Sequence, residues 1–374
     1  SRLAAYGSVR LTDEESTKKE LNTIPFRTVI ADEAHKLKDP KAKQTRAVWA
    51  VAQGDKVEYR YALTGTPVAN NPADTWSILH FIAPDEFPSK TKFVDRYCLV
   101  SWNPFGGLDI AGVRPDTKEE FFAILDPRMR RMPKDLVLPH LPPKLRQTRL
   151  VEMGPKQAKA YKQMLDHMVA QLEEGDMVLT TNPLAQLTRL VQFSSAYATL
   201  DDAGELRLAE PSCKLDEMME VIEELDGESV VVAAQSRQLI EMACARLEKA
   251  GISYRTIVGG MTEEAREQAK EDFQAGRAQV MLFTIQAGGV GLTLTRAGVI
   301  VFLQRSWSML DNKQAEDRVH RIGSEQHDKI LIVDIVAQGT VEERQIDMLN
   351  EKAERLEEVV RDRDLLRRLL KGGN

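Results

Sequence analysis

The sequence predicts an α/β protein of two lobes, each with a parallel β-sheet flanked by helices. Short apolar segments typical of strands alternate with helical patterns, an order that favours parallel sheets. Charged or glycine-rich motifs follow several of these segments, where ligands bind in such sheets. The predicted strands are Thr28–Ala31, Tyr59–Leu63, Val230–Ala234, Val280–Phe283, Val299–Leu303 and Ile330–Val336.

Length and composition are ordinary for a globular protein of two domains. The chain has 374 residues, of which 43% are hydrophobic and 29% charged. No apolar run approaches the length of a membrane span, so we expect no membrane partner. Cys98, Cys213 and Cys244 lie far apart and form no disulfide framework, which favours a reducing compartment. The six histidines show no metal-ligand spacing, and we expect no zinc.

A proline-rich segment, residues 139–143, marks the expected boundary between the lobes, because proline ends helices and favours extended chain. We expect the last segment of the chain to form a charged helix. One apolar stripe on it should pack on its own protein rather than form a coiled coil, so we expect a monomer. The stripe is Ile346, Leu349, Ala353, Leu356 and Val360. The predicted divisions are lobe one 1–143 with a helical insertion at about 85–135, lobe two 144–340 with a helical insertion at about 155–205, and the helix 341–374.

One stretch near this boundary, residues 126–149, is strongly basic in a chain of net charge −6. A local basic stripe can bind phosphates even on an acidic protein. A solvated linker explains the composition equally well. The basic residues are Arg128, Arg130, Arg131, Lys134, Lys144, Arg146 and Arg149.

Two adjacent carboxylates, Asp32 and Glu33, end the first predicted strand, and His35 follows them in the sequence DEAH. One carboxylate at a strand tip can hold Mg²⁺ through water, and its neighbour can orient an attacking water. The alternative is a helix N-terminus enriched in acidic residues.

A second strand is followed by the turn LTGTP, which contains Thr64, Gly65 and Thr66. The threonines offer hydroxyl groups, and the glycine permits a tight turn. Taken alone, this motif could be any strand-to-loop connection.

A glycine-rich segment, AGGVGLTLT, follows the strand that ends near Thr284. Gly288, Gly289 and Gly291 would let backbone N–H groups approach a phosphate closely. Taken alone, a glycine-rich turn is weak evidence for such a site.

The segment QAEDRVHRIG contains Gln314, Arg318 and Arg321. If the segment is helical, these side chains share one face. Two arginines on one face can clamp a transferring phosphoryl group. Surface salt bridges are the alternative.

These motifs occur in an order that closely resembles the Swi/Snf family of helicase-like ATPases in helicase superfamily two. The resemblance extends from Phe26 to about Arg344, and it includes the linker LDPRMRRMPKDLVLPHLPPK and the segments SCKLDEMMEVIEEL and GGMTEEAREQAKEDFQAG. It implies two RecA-like lobes, helical insertions and a C-terminal helix. It also implies ATP between the lobes, with Mg²⁺.

The resemblance implies a role for each motif residue. Asp32 would hold Mg²⁺ through water, and Glu33 would be the catalytic carboxylate. Arg318 and Arg321 would be arginine fingers, with Gln314 beside them. The residues that would couple the nucleotide to lobe movement are His35, Thr64, Gly65 and Thr66. Those that would touch nucleotide or DNA are Thr284, Gly288, Gly289, Gly291 and Trp307.

The family suggests an ATP-dependent double-stranded DNA translocase that does not separate strands. It would grip the DNA backbone without reading sequence, and it would move protein cargo on DNA. A strand-separating RNA or DNA helicase and a non-catalytic nucleic-acid-binding scaffold are the alternatives. The compact spacers favour a prokaryotic or viral cytoplasm or nucleoid over a nucleus.

The sequence departs from the family pattern in two places. No GxxxxGK[ST] occurs, and no Gly-Lys dipeptide occurs anywhere in the 374 residues. Because only 31 residues precede Asp32, we expect the phosphate-loop part of lobe one to lie outside this chain, which alone should bind ATP weakly. Second, Ser308 and Met309 follow Trp307 where the family has asparagine and proline. This segment couples DNA contact to hydrolysis in the family, so we expect altered coupling.

Overall fold

The computed structural model describes residues 20–65, 72–102, 108–130, 132, 134–173, 183–200, 205–288, 292–347 and 349. The chain divides into two compact units, with the division between Arg131 and Met132. Each unit contains parallel strands and helices, so the predicted α/β class is confirmed. Within the part of the chain that the structure describes, no helix is both long and apolar enough to cross a membrane.

In the described residues of the first unit, short helices alternate with short strands. The helices are α1 (Glu20–Thr23), α2 (Lys43–Ala52), α3 (Asp74–Ile82), α4 (Lys90–Tyr97) and α5 (Lys118–Leu125). The strands are β1 (Thr28–Ala31), β2 (Tyr59–Ala62), β3 (Cys98–Trp102) and β4 (Leu108–Val113). Single 3-10 turns cover Ala34–Leu37 and Pro115–Thr117.

Strands β1 and β2 pair in parallel, and Ile30 lies opposite Tyr61. One face of the pair packs on a small cluster whose buried members are Leu37, Ala52 and Phe81. The other face is open, since Ile30 is 60% and Tyr61 53% exposed. The prediction of fully buried strands is therefore wrong here. A parallel pair is buried only when a layer covers each face, and the described residues cover one.

In the described residues of the second unit, helices and strands alternate more regularly. The helices are α6 (Lys134–Val137), α7 (Pro155–Glu173), α8 (Pro183–Ser195), α9 (Cys213–Glu224), α10 (Arg237–Lys249), α11 (Glu263–Gln274), α12 (Ile285–Gly288) and α13 (Met309–Glu316). The strands are β5 (Lys144–Val151), β6 (Tyr197–Leu200), β7 (Leu206–Ala209), β8 (Val230–Ala234), β9 (Tyr254–Ile257), β10 (Val280–Thr284), β11 (Val299–Phe302) and β12 (Ile330–Ala337).

The second unit is built on a six-stranded parallel sheet with the order β5-β12-β11-β8-β10-β9. Every residue of β8, β10 and β11 is buried. Along β8, Val230 and Val232 belong to the hydrophobic cluster on one face, and Val231 and Ala233 to the cluster on the other. Both faces are therefore covered, which explains why these strands read as continuous apolar runs in the sequence.

Side-chain caps fix where several helices of this unit begin. In each case a serine or threonine oxygen accepts the N–H of the residue three positions later, which satisfies a backbone donor that the helix leaves unpaired. The capping residues are Ser212, Ser236, Thr262 and Ser308.

The two segments predicted as helical insertions contain helices, and each also contains an antiparallel hairpin. Strand β3 pairs with β4, and β6 pairs with β7. The sequence carried a signal for both hairpins. Asn103-Pro104 and Gly106-Gly107 separate one pair of β-rich runs, and Asp201-Asp202-Ala203-Gly204 separates the other.

The C-terminal helix predicted from the sequence is described only at its start. Residues 341–347 are helical, and Leu349 is buried. The remaining stripe positions, Ala353, Leu356 and Val360, lie outside the described residues.

Candidate functional site

The carboxylates of the first unit sit at the tip of β1, as the sequence predicts. Asp32 Oδ1 accepts a hydrogen bond from Glu33 N at 2.8 Å, which closes the turn. Glu33 has a φ of 51° and a ψ of 45°, in the left-handed region. A residue with a side chain in this region carries strain of about 1–3 kcal/mol, and such strain collects at functional sites. The backbone thus bends sharply at the residue predicted to be catalytic.

His35 joins this carboxylate pair to the second motif. Its Nδ1 lies 3.1 Å from Glu33 Oε2 and 3.2 Å from Thr64 Oγ1. The imidazole is buried, at 7% exposure. An ionised carboxylate only accepts hydrogen bonds, so the contact with Glu33 requires a proton on Nδ1. The structure therefore brings three of the predicted residues into one contact group.

The backbone on either side of this group is also tied together. Ala34 N donates to Leu63 O at 2.9 Å, and Leu63 N donates to Ala31 O at 2.8 Å. The ends of β1 and β2 are therefore fixed relative to each other where the two motifs begin. Gly65 lies just beyond this point, whereas Thr66 is outside the described residues.

The carboxylate oxygens at the tip of β1 are of the type that binds Mg²⁺ in proteins. Mg²⁺ keeps several waters and takes one or two carboxylates plus substrate phosphates. Among the residues that the structure describes, no group of three or more His, Cys, Asp and Glu side chains could enclose a metal. Asp32 could supply the single carboxylate of such a site, with water and phosphate completing it.

In the second unit, the two predicted arginines meet at one carbonyl oxygen. Arg318 Nη1 donates to Leu292 O at 3.4 Å, and Arg321 Nη1 donates to the same oxygen at 3.1 Å. Arg318 is buried, at 8% exposure. Leu292 belongs to the glycine-rich segment AGGVGLTLT. Two motifs that are separate along the chain thus lie together in this unit.

The helical spacing proposed for these arginines is wrong. Helix α13 ends at Glu316, so Gln314 is on its last turn while both arginines lie beyond it. The chain continues in tighter turns, in which Arg318 N donates to Ala315 O and Val319 N donates to Glu316 O. The arginines converge because they share the carbonyl of Leu292, and not because they share a helix face.

Within the glycine-rich segment, Gly289 and Gly291 lie outside the described residues. Thr284 ends β10 and is buried, at 7% exposure. A Cβ on Gly288 would lie 2.4 Å from Phe283 Cδ2. This glycine is therefore required for close packing on a core phenylalanine. The prediction that Gly288 lets the backbone approach a phosphate did not include this role.

The departure from the family pattern after Trp307 has a local explanation. Ser308 is the N-cap of α13, and its Oγ accepts from Asp311 N at 3.3 Å. Asn312 fixes the preceding backbone, since its amide exchanges two hydrogen bonds of 2.8 Å with the main chain of Ser306. Trp307 is half-buried within this capped turn. The substitution at Ser308 keeps a good cap, so it preserves the start of the helix.

The basic stretch around the predicted boundary is neither a plain solvated linker nor an open positive patch. Most of its described cations pair with carboxylates of their own unit. Arg128 pairs with Glu86. Arg149 pairs with Glu217 at 3.0 Å and Glu224 at 2.5 Å. Lys134, Lys144 and Arg146 pair with the end of α13.

Sequence reasoning missed the carboxylate that pairs with Lys144 and Arg146, Glu316. Its side chain is only 4% exposed and also binds Arg305 Nη1 at 2.8 Å. Burial raises the pKa of Glu316, but the charges of Arg305, Lys144 and Arg146 outweigh it and lower this pKa to about 2. The acidic pair within QAEDR was a sequence signal for an ion-pair site, although two of its partners, Lys144 and Arg146, lie about 170 residues earlier in the chain.

Two family models match the chain. The model of the SNF2-related domain matches residues 3–196, and that of the helicase conserved C-terminal domain matches residues 213–323. These matches cover the motifs of both units.

Similar proteins carry related descriptions. The DNA annealing helicase and endonuclease ZRANB3 of Bos taurus is 27% identical over 345 residues, which cover 92% of this chain and 30% of that protein. Protein CHROMATIN REMODELING 5 of Arabidopsis thaliana is 26% identical over 354 residues, 90% of this chain and 19% of that protein. The chain spans 18% to 37% of the length of such relatives. Among solved structures, the Sulfolobus solfataricus SWI2/SNF2 ATPase core in complex with dsDNA is 25% identical and has a TM-score of 0.48, covering 92% of this chain and 70% of that one.

Proposed function

The chain belongs to the SNF2-related family, and on that premise we propose that it is part of an ATP-dependent motor that moves along double-stranded DNA. The family model covers residues 3–196, more than half of the chain. The names of two relatives describe a DNA annealing helicase and chromatin remodelling, which supports DNA as the track. The observation that carries the proposal is the contact group at the tip of β1. There His35 links the strained Glu33 to Thr64.

In this proposal each residue of the contact group has a chemical task. Glu33 orients the water that attacks the terminal phosphate, and His35 holds the Glu33 carboxylate by a hydrogen bond. Asp32 would hold Mg²⁺, which supplies positive charge to the phosphates. Thr64 lies on the same imidazole nitrogen, so a shift of the second motif changes how His35 holds Glu33. Hydrolysis and conformation are thus connected through one buried side chain.

The arginines of the second unit fit the other requirement of phosphoryl transfer. Charge develops on the phosphate oxygens in the transition state, and arginines stabilise it. Arg318 and Arg321 are held by the same carbonyl, Leu292 O, so their guanidinium groups are placed together. We assign them as the charge-stabilising pair.

This chain alone should hydrolyse ATP slowly. A phosphate loop normally supplies backbone N–H groups and a lysine to the phosphates. No Gly-Lys dipeptide occurs in these 374 residues. We therefore expect full turnover only from a polypeptide or complex that adds such a loop.

The test is ATP hydrolysis by this chain and by the full product of its gene. Each is assayed alone and with duplex DNA, single-stranded DNA or RNA. Glu33→Gln is the blank, because it removes the carboxylate charge and keeps the shape. We expect stimulation by duplex DNA that falls about 10²–10⁴-fold in the blank.

Each other result would point to a different function. Stimulation only by single strands or RNA would indicate a strand-separating helicase. Nucleic-acid binding without hydrolysis by either polypeptide would indicate a binding scaffold. Binding of duplex DNA should also weaken steeply with salt, because backbone contacts release counterions. An affinity that does not respond to salt would contradict the backbone grip.

A further inference from the structure

Residues 132–146, which follow the division between the units, contact the end of α13. Three of its cations, which we name the linker cations, take part: Lys134, Lys144 and Arg146. Arg146 binds Glu316 through two parallel hydrogen bonds of 2.9 Å. Lys144 Nζ lies 3.2 Å from Glu316 Oε2 and 3.3 Å from Asp317 Oδ1. Lys134 Nζ lies 2.7 Å from Asp317 Oδ1.

Backbone groups add to this attachment. Lys134 Nζ donates to His320 O at 3.3 Å, and His320 Nε2 lies 2.9 Å from Pro142 O. Pro143 O accepts from Ile330 N at 2.9 Å, at the start of β12. The linker segment therefore contacts residues 316–320 through side chains and main chain at several independent points.

The attached segment runs directly into the two arginines. We name residues 317–323 the arginine turn. Its Arg318 O accepts from Leu294 N at 2.9 Å, while both arginine side chains bind Leu292 O. The turn is thus held on one side by Leu292 and Leu294 of the glycine-rich segment, and on the other by the linker.

Glu316 is the point where these contacts meet the core. Its Oε1 accepts from Arg305 Nη1 at 2.8 Å, and Arg305 in turn binds Asp334 of β12 at 2.6 Å. Buried ion pairs add little net stability compared with apolar packing, but they fix geometry because each partner must stay in place. A bidentate arginine adds directional precision. The arrangement is therefore better suited to placing a segment than to stabilising the fold.

We propose that Glu316 is a positioning residue, through which Lys144 and Arg146 set the placement of the arginine turn. The inference rests on the proposed function of that turn in phosphoryl transfer. The linker is the covalent connection from the first unit, so a movement that pulls on it acts on Glu316 and hence on the arginines. A displacement of about 1 Å at a charge-stabilising group is enough to lower a rate by about 10²-fold.

The first experiment measures placement without activity. Hydrogen–deuterium exchange is recorded on the chain for Lys144→Gln/Arg146→Gln, for Arg146→Lys and for the matched control Arg149→Gln. Arg149 lies on the same strand β5 but pairs with Glu217 and Glu224 of α9, away from the arginine turn. The reporting amides are those of Leu294, Val319 and His320, which are hydrogen-bonded in the parent protein.

We expect exchange at these amides to rise about 10- to 100-fold in the double variant, as loss of charged hydrogen bonds predicts. Arg146→Lys should give a smaller rise, since it keeps the charge and loses the bidentate geometry. Arg149→Gln should leave the three amides unchanged. If the double variant also leaves them unchanged, or if Arg149→Gln loosens them as much, the proposal is wrong.

The second experiment asks whether placement matters to the reaction. In the DNA-stimulated ATPase assay on the full gene product, the double variant should lose kcat about 10²-fold at an unchanged KM for ATP. Arg149→Gln should keep both values. Loosened amides with an unchanged kcat would overturn the positioning role. If the parent shows no hydrolysis at all, the proposed function fails instead, and the exchange data still decide whether the linker holds the turn.

Discussion

The sheet of the second unit is covered on both faces, whereas the parallel pair of the first unit is covered on one. In the second unit, every residue of β8, β10 and β11 is buried. In the first, Ile30 is 60% exposed although its sequence context is just as apolar. Both units nevertheless place a motif at the end of a strand.

The difference shows that a motif can form at the end of a strand whether apolar layers cover one face of the sheet or both. The first unit bends its backbone into a strained conformation at Glu33, with support from one apolar layer. The second unit holds its arginines by hydrogen bonds to Leu292 O, beside a sheet whose central strands β8, β10 and β11 are fully buried. We therefore expect the first unit to open locally more easily, since local stability follows buried apolar contacts.

The largest expected effect is Phe283→Ala in β10. Phe283 is fully buried, so its removal should lower the free energy of unfolding of the second unit by about 3–5 kcal/mol. Leu145→Ala on the edge strand β5 is the control, because Leu145 is 45% exposed and should cost less than about 1 kcal/mol. Urea unfolding followed by hydrogen exchange measures each unit separately. Equal losses in the two variants would contradict the buried sheet.

Glu316→Gln should lower the free energy of unfolding of the second unit by about 1.5–3 kcal/mol at neutral pH, through loss of charged hydrogen bonds. Its effect should depend on pH. The folded pKa is about 2, below the ordinary value near 4.3, so the stabilisation is present above pH 4.3 and lost as pH falls toward 2.

The cationic groups that face Glu316 are Arg305, Lys144 and Arg146. Unfolding of the parent and the Gln variant should therefore converge between pH 4.3 and 2. A constant difference down to pH 2 would show that the charge of Glu316 is not the cause.

A smaller gain is expected at the strained residue of the first unit. Glu33→Gly should raise the free energy of unfolding of this unit by about 1 kcal/mol, because glycine adopts a φ of 51° without strain. The same change should abolish hydrolysis. Glu33→Gln should also abolish it but leave the strain in place. A loss of stability in the glycine variant would mean that the carboxylate contact with His35 outweighs the strain.

The smallest effect is expected on the open face of the first unit. Ile30→Thr should change the unfolding free energy by less than about 0.5 kcal/mol, as surface substitutions do. Ile300→Thr in β11 is the matched change at a fully buried position, and it should cost about 2 kcal/mol or more. A large effect of Ile30→Thr would show that a layer covers this face in solution.

Much of the fold could be predicted from local patterns. The strands β8 and β1 match their predicted bounds, and the other predicted strands differ by one residue at an end. The motif residues at strand ends also follow from sequence, since the carboxyl ends of parallel strands are where sites form. The hairpin β3–β4 was missed because helical insertions were assumed, although its turn residues are visible in the sequence.

The class of fold, the strands and the motifs follow from the amino-acid sequence, because apolar periodicity and turn residues act over a few neighbouring positions. Which motif residues meet depends instead on tertiary packing. His35 reaches Thr64 across 29 positions, the arginines share Leu292 O across 26 and 29, and Arg146 reaches Glu316 across 170. Such contacts depend on how buried layers pack and on where charges find partners away from water, and no local pattern in the chain encodes them.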